Sequence, residues 1–432
     1  MKRAKLYLAL ISSITSGLAN AANEYIYTTP VPPAYESSAN QRALRTNEET
    51  STYIKCVYNI DNQDQSNPAS SWTWARDGSN YLKLRGYWYS ATPLANMFYS
   101  ESSYASLVNI CRSTLKASNI NAETVIPYAS DYTLSWYYMI WHQGQAQSAI
   151  MFGNNKIDDR MVIFGDSLSD TINVYNGSYG TVPNHASWFL GHFSNGKVWH
   201  EYLGGSLNLP GYVWATANAE SGEKPLFNGF DKQLDSFSAY LGKTENYDIA
   251  QTLFTVLFGG NDFITGAKMP DDIIATYRVQ LARLAALGAQ HIAIFRLPDF
   301  SVIPNVATWT PAEKEALKNK SENFNQQLDQ LLGELRTAYP KANFFTVKLD
   351  SAFNDLLSES GKYGFVNTSE TCLDISASGI SYATGVAVKQ ACKAANGAFV
   401  FWDNMHPTTK THALLAEMMR EEIVQHLTNG GE

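Results

Sequence analysis

Val162-Ile163-Phe164-Gly165-Asp166-Ser167-Leu168-Ser169-Asp170 is an apolar run that stops at a glycine turn carrying a serine. A run apolar at every position suits a strand buried on both faces of a parallel sheet. A serine on the turn after it stands at the carboxyl edge of the sheet, where ligand sites of open α/β sheets form. Ser167 can serve there as a nucleophile or as the N-cap of the next helix, since serine suits both. The motif alone does not choose. The deciding residues lie far downstream, at Asp403-Asn404-Met405-His406-Pro407.

Outward from this stretch, Met161–Phe164, Leu253–Phe258, His291–Leu297 and Phe344–Val347 all read as buried parallel strands. Helical periodicity occupies Ile273–Leu287 and Pro311–Tyr339 between them, and a last helix is expected over Thr408–Leu427. Strand-helix alternation of this kind predicts a doubly wound α/β sheet from Arg160 to the C-terminus. The first third has another texture. Ala22 to about Thr50 is rich in Pro, Ser, Asn and Thr and reads as irregular. From Thr52 an alternation places Ile54, Cys56, Tyr58 and Ile60 on one strand face. Trp72–Trp74 and Tyr81–Leu84 flank Asp77-Gly78, a hairpin signal. Tyr104–Lys116 is helical in spacing, and Asp131–Trp141 reads as an aromatic strand before the polar segment Gln143–Lys156. The chain thus divides into residues 1–21, an aromatic-rich α+β domain over 22–150, and an α/β domain over 158–432.

The first 21 residues carry the marks of a secretory signal peptide. Lys2, Arg3 and Lys5 precede a short apolar stretch, and Ala19-Asn20-Ala21 offers a cleavage site. Export is therefore expected. Its removal takes away three basic residues, leaving 29 basic against 40 acidic, a net charge of −11. An acidic surface argues against nucleic acid as a partner and gives no pull toward anionic lipid. Peripheral membrane contact would rest on apolar or aromatic groups. Residues 22–150 hold five of the ten Trp and 14 of the 25 Tyr; these either pack the domain's own core or anchor it at an interface. Four cysteines allow three pairings. Cys56–Cys111 with Cys372–Cys392 respects the domain division, and no CxxC or HxxxH spacing favours a metal instead. The sequence implies no cofactor, and oligomeric state is not legible in it.

A serine hydroxyl needs a base to take its proton, and the base needs a partner to fix its tautomer. His406, with Asp403 three residues before it, supplies both from one loop, and Pro407 suits the start of the following helix. None of the other seven histidines has a carboxylate three residues before it. Acyl transfer also requires donors aimed at the developing oxyanion. Phe258-Gly259-Gly260-Asn261-Asp262 ends a second apolar strand and presents the carboxamide of Asn261, and Asn195-Gly196-Lys197 offers an unhindered N–H at Gly196. Each turn, taken singly, also reads as ordinary loop punctuation.

These four blocks, in this order, resemble the GDSL or SGNH hydrolase superfamily over residues 160 to about 428. The stretches Asn195–Leu203, Leu287–Gln290, Arg296–Pro298, Tyr363–Asn367, Cys372-Leu373 and Phe401–Pro407 resemble its secreted bacterial lipase/acyltransferase branch. With the aromatic-rich first domain, the chain is most similar to the thermolabile (lecithin-dependent) haemolysin group of phospholipases. The resemblance implies a flavodoxin-like three-layer sandwich with a central parallel sheet. It implies Ser167 as nucleophile, His406 as base and Asp403 as its orienting carboxylate. The oxyanion hole would be Ser167 N–H, Gly196 N–H and the Asn261 side chain. The expected activity is a secreted phospholipase A or lysophospholipase with capacity for acyltransfer. Two alternatives stand beside it: a short-chain or carbohydrate esterase of the same fold, and a lipid- or glycan-binding protein with a vestigial hydrolase. Two places depart from the family pattern: Ile172, where relatives often have glycine, and Asn218–Ser221, where relatives often have a glycine pair.

Overall fold

The computed structural model describes residues 25–33, 50–60, 64–90, 96–130, 137–142, 150–157, 160–242, 244, 247–375 and 379–429. The leader at 1–21, most of the irregular stretch before Thr50, residues 131–136 of the aromatic strand and 143–149 of the polar segment lie outside them.

The first third is a mixed sheet that holds β1 (Ile26–Thr29), β2 (Thr50–Asn59), β3 (Ser70–Trp74), β4 (Arg76–Asp77), β5 (Asn80–Ser90), β6 (Asn96–Ser100), β7 (Val125–Ser130) and β8 (Met139–His142). Their path is β3-β2-β5-β6-β8, with β1 and β4 added on β5 and β7 on β2. The Asp77-Gly78 signal does make a tight turn, with Asp77 opposite Asn80 and Gly78 at φ 58°. The strand it returns is Arg76-Asp77, however, and Trp72–Trp74 pairs with β2 instead. Helix α1 (Tyr104–Ala117) is capped by Ser103, whose side chain accepts the Ser106 N–H. It lays Leu107, Cys111 and Leu115 on one face of the sheet, and Cys111 is disulfide-bonded to Cys56 of β2.

The other face of β2 is covered as well. Val57, Ile126, Tyr128 and Tyr137 pack against Ile172, Tyr175, Phe189 and Leu190 of the second half of the chain. This two-sided cover explains why β2 is buried at six consecutive positions rather than at alternate ones. Lys55 is fully buried there, its ammonium over the rings of Trp72, Trp74 and Tyr137. A second seam joins Tyr99 and Trp141 to Tyr212, Trp214 and Tyr240. The described tryptophans of this third, Trp74, Trp88 and Trp141, are buried and Trp72 is half-buried.

A short hairpin, β9 (Ile150–Phe152) with β10 (Asn155–Ile157), leads into the parallel sheet. Its strands are β11 (Met161–Gly165), β12 (Gly211–Val213), β13 (Leu253–Leu257), β14 (His291–Phe295) and β15 (Asn343–Val347), in the order β12-β11-β13-β14-β15 and parallel throughout. In chain order the helices are α2 (Asn173–Gly177), α3 (Trp199–Leu207), α4 (Phe230–Leu241), α5 (Gly260–Ile264), α6 (Pro270–Ala286), α7 (Pro311–Ala338), α8 (Leu349–Ser358), α9 (Gln390–Ala394) and α10 (Thr409–Asn429). Helices α3, α8 and α10 pack together on one face, and α4, α6 and α7 on the other. The result is the three-layer α/β sandwich. Neither β12 nor the pair β16 (Asn367–Thr371) and β17 (Phe399–Phe401) was expected, each too short or too polar to show a pattern. The strand order reverses between β11 and β13, so the carboxyl ends of these two neighbours open a crevice.

Loop-closure entropy makes the Cys56–Cys111 bridge, which spans 55 residues, the larger staple than Cys372–Cys392, which spans 20. Replacing Cys56 and Cys111 together by alanine should lower unfolding free energy by roughly 4 kcal/mol, against roughly 3 kcal/mol for the second pair. Denaturant titration under oxidising conditions checks the order, and a larger loss at the second pair would contradict it.

Candidate active site

Ser167 follows β11 by two residues, on a turn held from all sides. The Asp166 carboxylate accepts the Leu168 N–H, and its carbonyl accepts those of Ser169 and Asp170. Burial pushes the Asp166 carboxyl up to about 7, against the Leu168 bond and nearby His406, which lower it. Gln233 of α4 reaches Gly165 with both ends of its amide, accepting the N–H and donating to the carbonyl. A side chain at Gly165 would lie 2.9 Å from the Leu257 carbonyl, so the close approach of β11 to β13 requires glycine. Downstream, the Asp170 carboxylate gathers four backbone N–H groups, from Ile172, Asn173, Val174 and Ala217.

His406 reaches this turn from the loop before α10. Its Nε2 lies 2.7 Å from Ser167 Oγ, and its Nδ1 lies 2.8 and 2.9 Å from the two carboxylate oxygens of Asp403. A carboxylate only accepts, so Nδ1 carries the proton and Nε2 presents a lone pair to the serine hydroxyl. Asp403 is completely buried. Its charge is matched by donors: the His406 ring, the N–H groups of Met405 and His406, and the Trp188 indole at 2.9 Å. The Tyr382 hydroxyl, 3.2 Å from Asp403 and 2.9 Å from the Asn404 side chain, closes the shell. Burial alone would raise the Asp403 carboxyl, but His406 and these hydrogen bonds outweigh it and hold it below the usual carboxylate range.

Asn261 is the second residue of α5, at the carboxyl end of β13 and therefore beside the Ser167 turn. One hydrogen of its amide goes to the Ala219 carbonyl at 2.8 Å, which orients the group and leaves the other hydrogen for a ligand. Gly196 sits in the loop before α3, tied to the start of α10 by Ser194 on the Pro407 carbonyl and by Asn195 accepting the Thr409 N–H. A Cβ at Gly196 would lie 2.8 Å from Thr409 Oγ1. The backbone N–H groups of Ser167 and Gly196 have no hydrogen-bond partner among the described residues. Of the two departures, Ile172 is buried in the seam with the first third, and Ser221 bonds Asp262 through both its N–H and its hydroxyl.

Trp188, Tyr382 and Gln233 escaped the sequence reading. Their roles depend on contacts across long chain separations, and only the Cys372–Cys392 bridge, which encloses Tyr382, hinted at one of them. Trp188 packs with that bridge, Phe399 and Trp402. An apolar cavity of about 60 Å³, walled by Leu168, Met405, Phe295, Phe353 and Leu415, lies beneath the Ser167 turn, and neither Ser167 nor His406 lines it. Among the described residues no His, Cys, Asp or Glu group could hold a metal ion.

A hydroxyl, an imidazole and a buried carboxylate in line, beside unpaired N–H donors, have the chemistry of acyl transfer. Residues 161–419, more than half of the chain, match the family model described as GDSL-like Lipase/Acylhydrolase. The chain belongs to this GDSL family. It is an esterase/lipase of that class. Residues 27–143 match a second model, described as Vibrio dual lipase/transferase, N-terminal domain. The GDSL chain is 36% identical to "Thermolabile hemolysin" of Vibrio parahaemolyticus over 394 residues, covering 89% of this chain and 90% of that one. It is 27% identical to "Phosphatidylcholine-sterol acyltransferase" of Aeromonas hydrophila, over 60% of this chain and 88% of that one. "Secreted effector protein SseJ" of Salmonella typhimurium is 26% identical over 62% of this chain and 64% of its own length.

The buried Asp403 also sets an acid limit on the fold. Its folded pKa lies below the unfolded value, so its ionised form contributes stability that is full above about pH 4 and is lost as pH falls through the folded value. Trp188→Phe removes one donor and raises that folded value. The acid-unfolding midpoint should move to higher pH, and stability at pH 7 should fall by about 2 kcal/mol. Circular dichroism against pH reads both, and an unmoved acid midpoint would contradict the assignment.

Proposed function

We propose that this GDSL enzyme is a secreted phospholipase A or lysophospholipase that works through an acyl-enzyme on Ser167 and can pass the acyl group to a second alcohol. The observation that carries the reading is the 2.7 Å contact of Ser167 Oγ with His406 Nε2, continued to the buried Asp403. Ser167 Oγ attacks the ester carbonyl as its proton moves to His406 Nε2. Asp403 stabilises the imidazolium that results. The N–H groups of Ser167 and Gly196 and the amide of Asn261 receive the oxyanion. Collapse of the tetrahedral adduct breaks the ester C–O bond, and His406 returns the proton to the departing alcohol. Water or another alcohol then repeats the sequence on the acyl-enzyme.

The family supports a lipid ester. The names of two relatives, a phosphatidylcholine-sterol acyltransferase and a hemolysin, support a membrane phospholipid as its source. Export rests on the leader expected at residues 1–21, and the name of the Salmonella relative agrees with it. In this reading residues 22–150 form the accessory domain and 158–432 the catalytic one. A second reading is a short-chain esterase of the same fold, because the family description, lipase/acylhydrolase, sets no acyl length.

Ser167→Ala should abolish ester hydrolysis while leaving the melting temperature within a few degrees of wild type; surviving turnover would remove Ser167 from the mechanism. Asn261→Ala should lower kcat by roughly 10²–10³ with KM little changed. Rates on a series of p-nitrophenyl esters decide between the two readings. A rise from acetyl to long acyl chains fits the phospholipase, and a fall beyond butyryl rejects it.

A further inference from the structure

Behind the loop that carries Gly196 lies a second, larger opening. A cleft of about 360 Å³ separates α1 and β7 of the first third from α3 and β12 of the parallel sheet. Ligand sites favour such seams between two folded units. Its floor holds a histidine that the proposed mechanism does not use. His200 is 2% exposed, and its Nε2 lies 2.9 Å from the Ser169 carbonyl. A carbonyl only accepts, so Nε2 carries the proton and Nδ1 is a bare lone pair. That Nδ1 has no hydrogen-bond partner among the described residues. Nδ1 is itself buried, and its neighbour on the cleft lining is Gly211, where an added Cβ would stand 3.4 Å away. Burial lowers the His200 pKa to about 4, so the ring stays neutral at pH 7 and cannot satisfy itself by protonation.

The rest of the cleft fixes the chemistry of what would fill it. Glu201 offers a second acceptor, held ionised by His192 at 3.0 Å. The Tyr128 hydroxyl is kept protonated, first by burial and then by Glu201. Val108, Ile126, Met139 and Leu209 add apolar lining, and Arg112 and Lys197 add two cations. Two acceptors and this apolar lining suit a molecule with an apolar body and a hydroxyl donor. A single water would pair Nδ1 but would leave most of the cleft unfilled.

We infer that this cleft is a second ligand site, distinct from the Ser167 centre, that binds a hydroxyl-bearing amphiphile of the partial-glyceride or lysolipid class. The choice of class rests on the lipid-ester reading, because cleaving a glycerolipid ester frees such a hydroxyl on an apolar body. The site touches the reaction centre from behind. His200 holds the Ser169 carbonyl two residues from Ser167, and Lys197 at the cleft mouth adjoins Gly196. Product seated here therefore contacts the supports of both the nucleophile turn and the oxyanion loop.

Two substitutions fill the cleft from opposite walls. Gly205, in α3, has nothing within 4 Å of an added Cβ, and Ala105, in α1, is exposed to the cleft. The test uses the full chain with Ser167 blocked by diethyl p-nitrophenyl phosphate, the single adduct being checked by intact mass. Calorimetric titration with 1-octanoylglycerol below its micellar concentration should find one saturable site. Gly205→Trp and Ala105→Trp should each weaken it at least tenfold, with melting curves verifying that each variant is folded; if one fails to fold, the other decides. Methyl octanoate, which has no hydroxyl, should bind at least tenfold more weakly than 1-octanoylglycerol. Absence of saturable binding, or binding unchanged in the folded variants, overturns the site, and equal binding of methyl octanoate overturns the ligand class. Failure of the phosphate to label Ser167 would count against the nucleophile instead, and the same titration on the unblocked chain and its variants would still decide the cleft.

Discussion

A carboxylate with no exposure to water is the constraint on which the rest of this site depends. Asp403 can stay ionised inside the protein only if donors replace its hydration. Two come from its own loop, the N–H groups of Met405 and His406, and this folds the loop back so that the imidazole meets the carboxylate. A third, the Trp188 indole, comes from a segment more than two hundred residues earlier. Trp188 is fixed in turn by packing on the Cys372–Cys392 bridge and on Trp402, whose own indole donates to the Ser187 carbonyl. The disulfide lobe thus acts on the histidine through the aspartate, and the imidazole has one orientation in which both its nitrogens are used.

The other half of the geometry comes from the parallel sheet. Register between β11 and β13 sets Gly165 beside Leu257, so the turns that follow carry Ser167 and Asn261 out at the same edge. Gln233 and the absence of a side chain at Gly165 lock the first turn, and Ala219 orients the amide in the second. The first third of the chain is tied into the same framework. The Gln65 carbonyl accepts from the Asn195 side chain, the residue before Gly196, and Tyr137 exchanges hydrogen bonds with Asn176. Among the described aromatics of that third, Trp88, Tyr138 and Phe98 pack its own core, and Tyr99, Tyr128, Tyr137 and Trp141 pack these seams.

What was legible in the sequence followed from physics that acts locally. The four long parallel strands are continuous apolar runs because both their faces are covered, and the helical periodicity over Pro311–Tyr339 falls on α7 (Pro311–Ala338). Ser167, Asn261, Asp403 and His406 stood out in the sequence because they follow closely on apolar runs or precede a helix, whereas Gly196 stood out only as part of an Asn-Gly turn. Illegible were the three-residue edge strand β12 and the β16–β17 pair, whose form is imposed by neighbours. So was the burial of Lys55, which needs rings from Trp72, Trp74 and Tyr137 to be tolerable. The donors Trp188 and Tyr382 were hidden for the same reason: no periodicity records a bond between distant segments.

The central claim is that Ser167 carries the acyl group of a phospholipid between two half-reactions. The most direct test is to quench the enzyme during turnover of phosphatidylcholine vesicles and map adducts by peptide mass spectrometry. The account predicts one fatty-acyl adduct, on the peptide containing Ser167, that disappears when water or an alcohol is allowed to complete the cycle. An acyl adduct on another residue, or phospholipid turnover with Ser167 never modified under conditions where deacylation is slow, would contradict it.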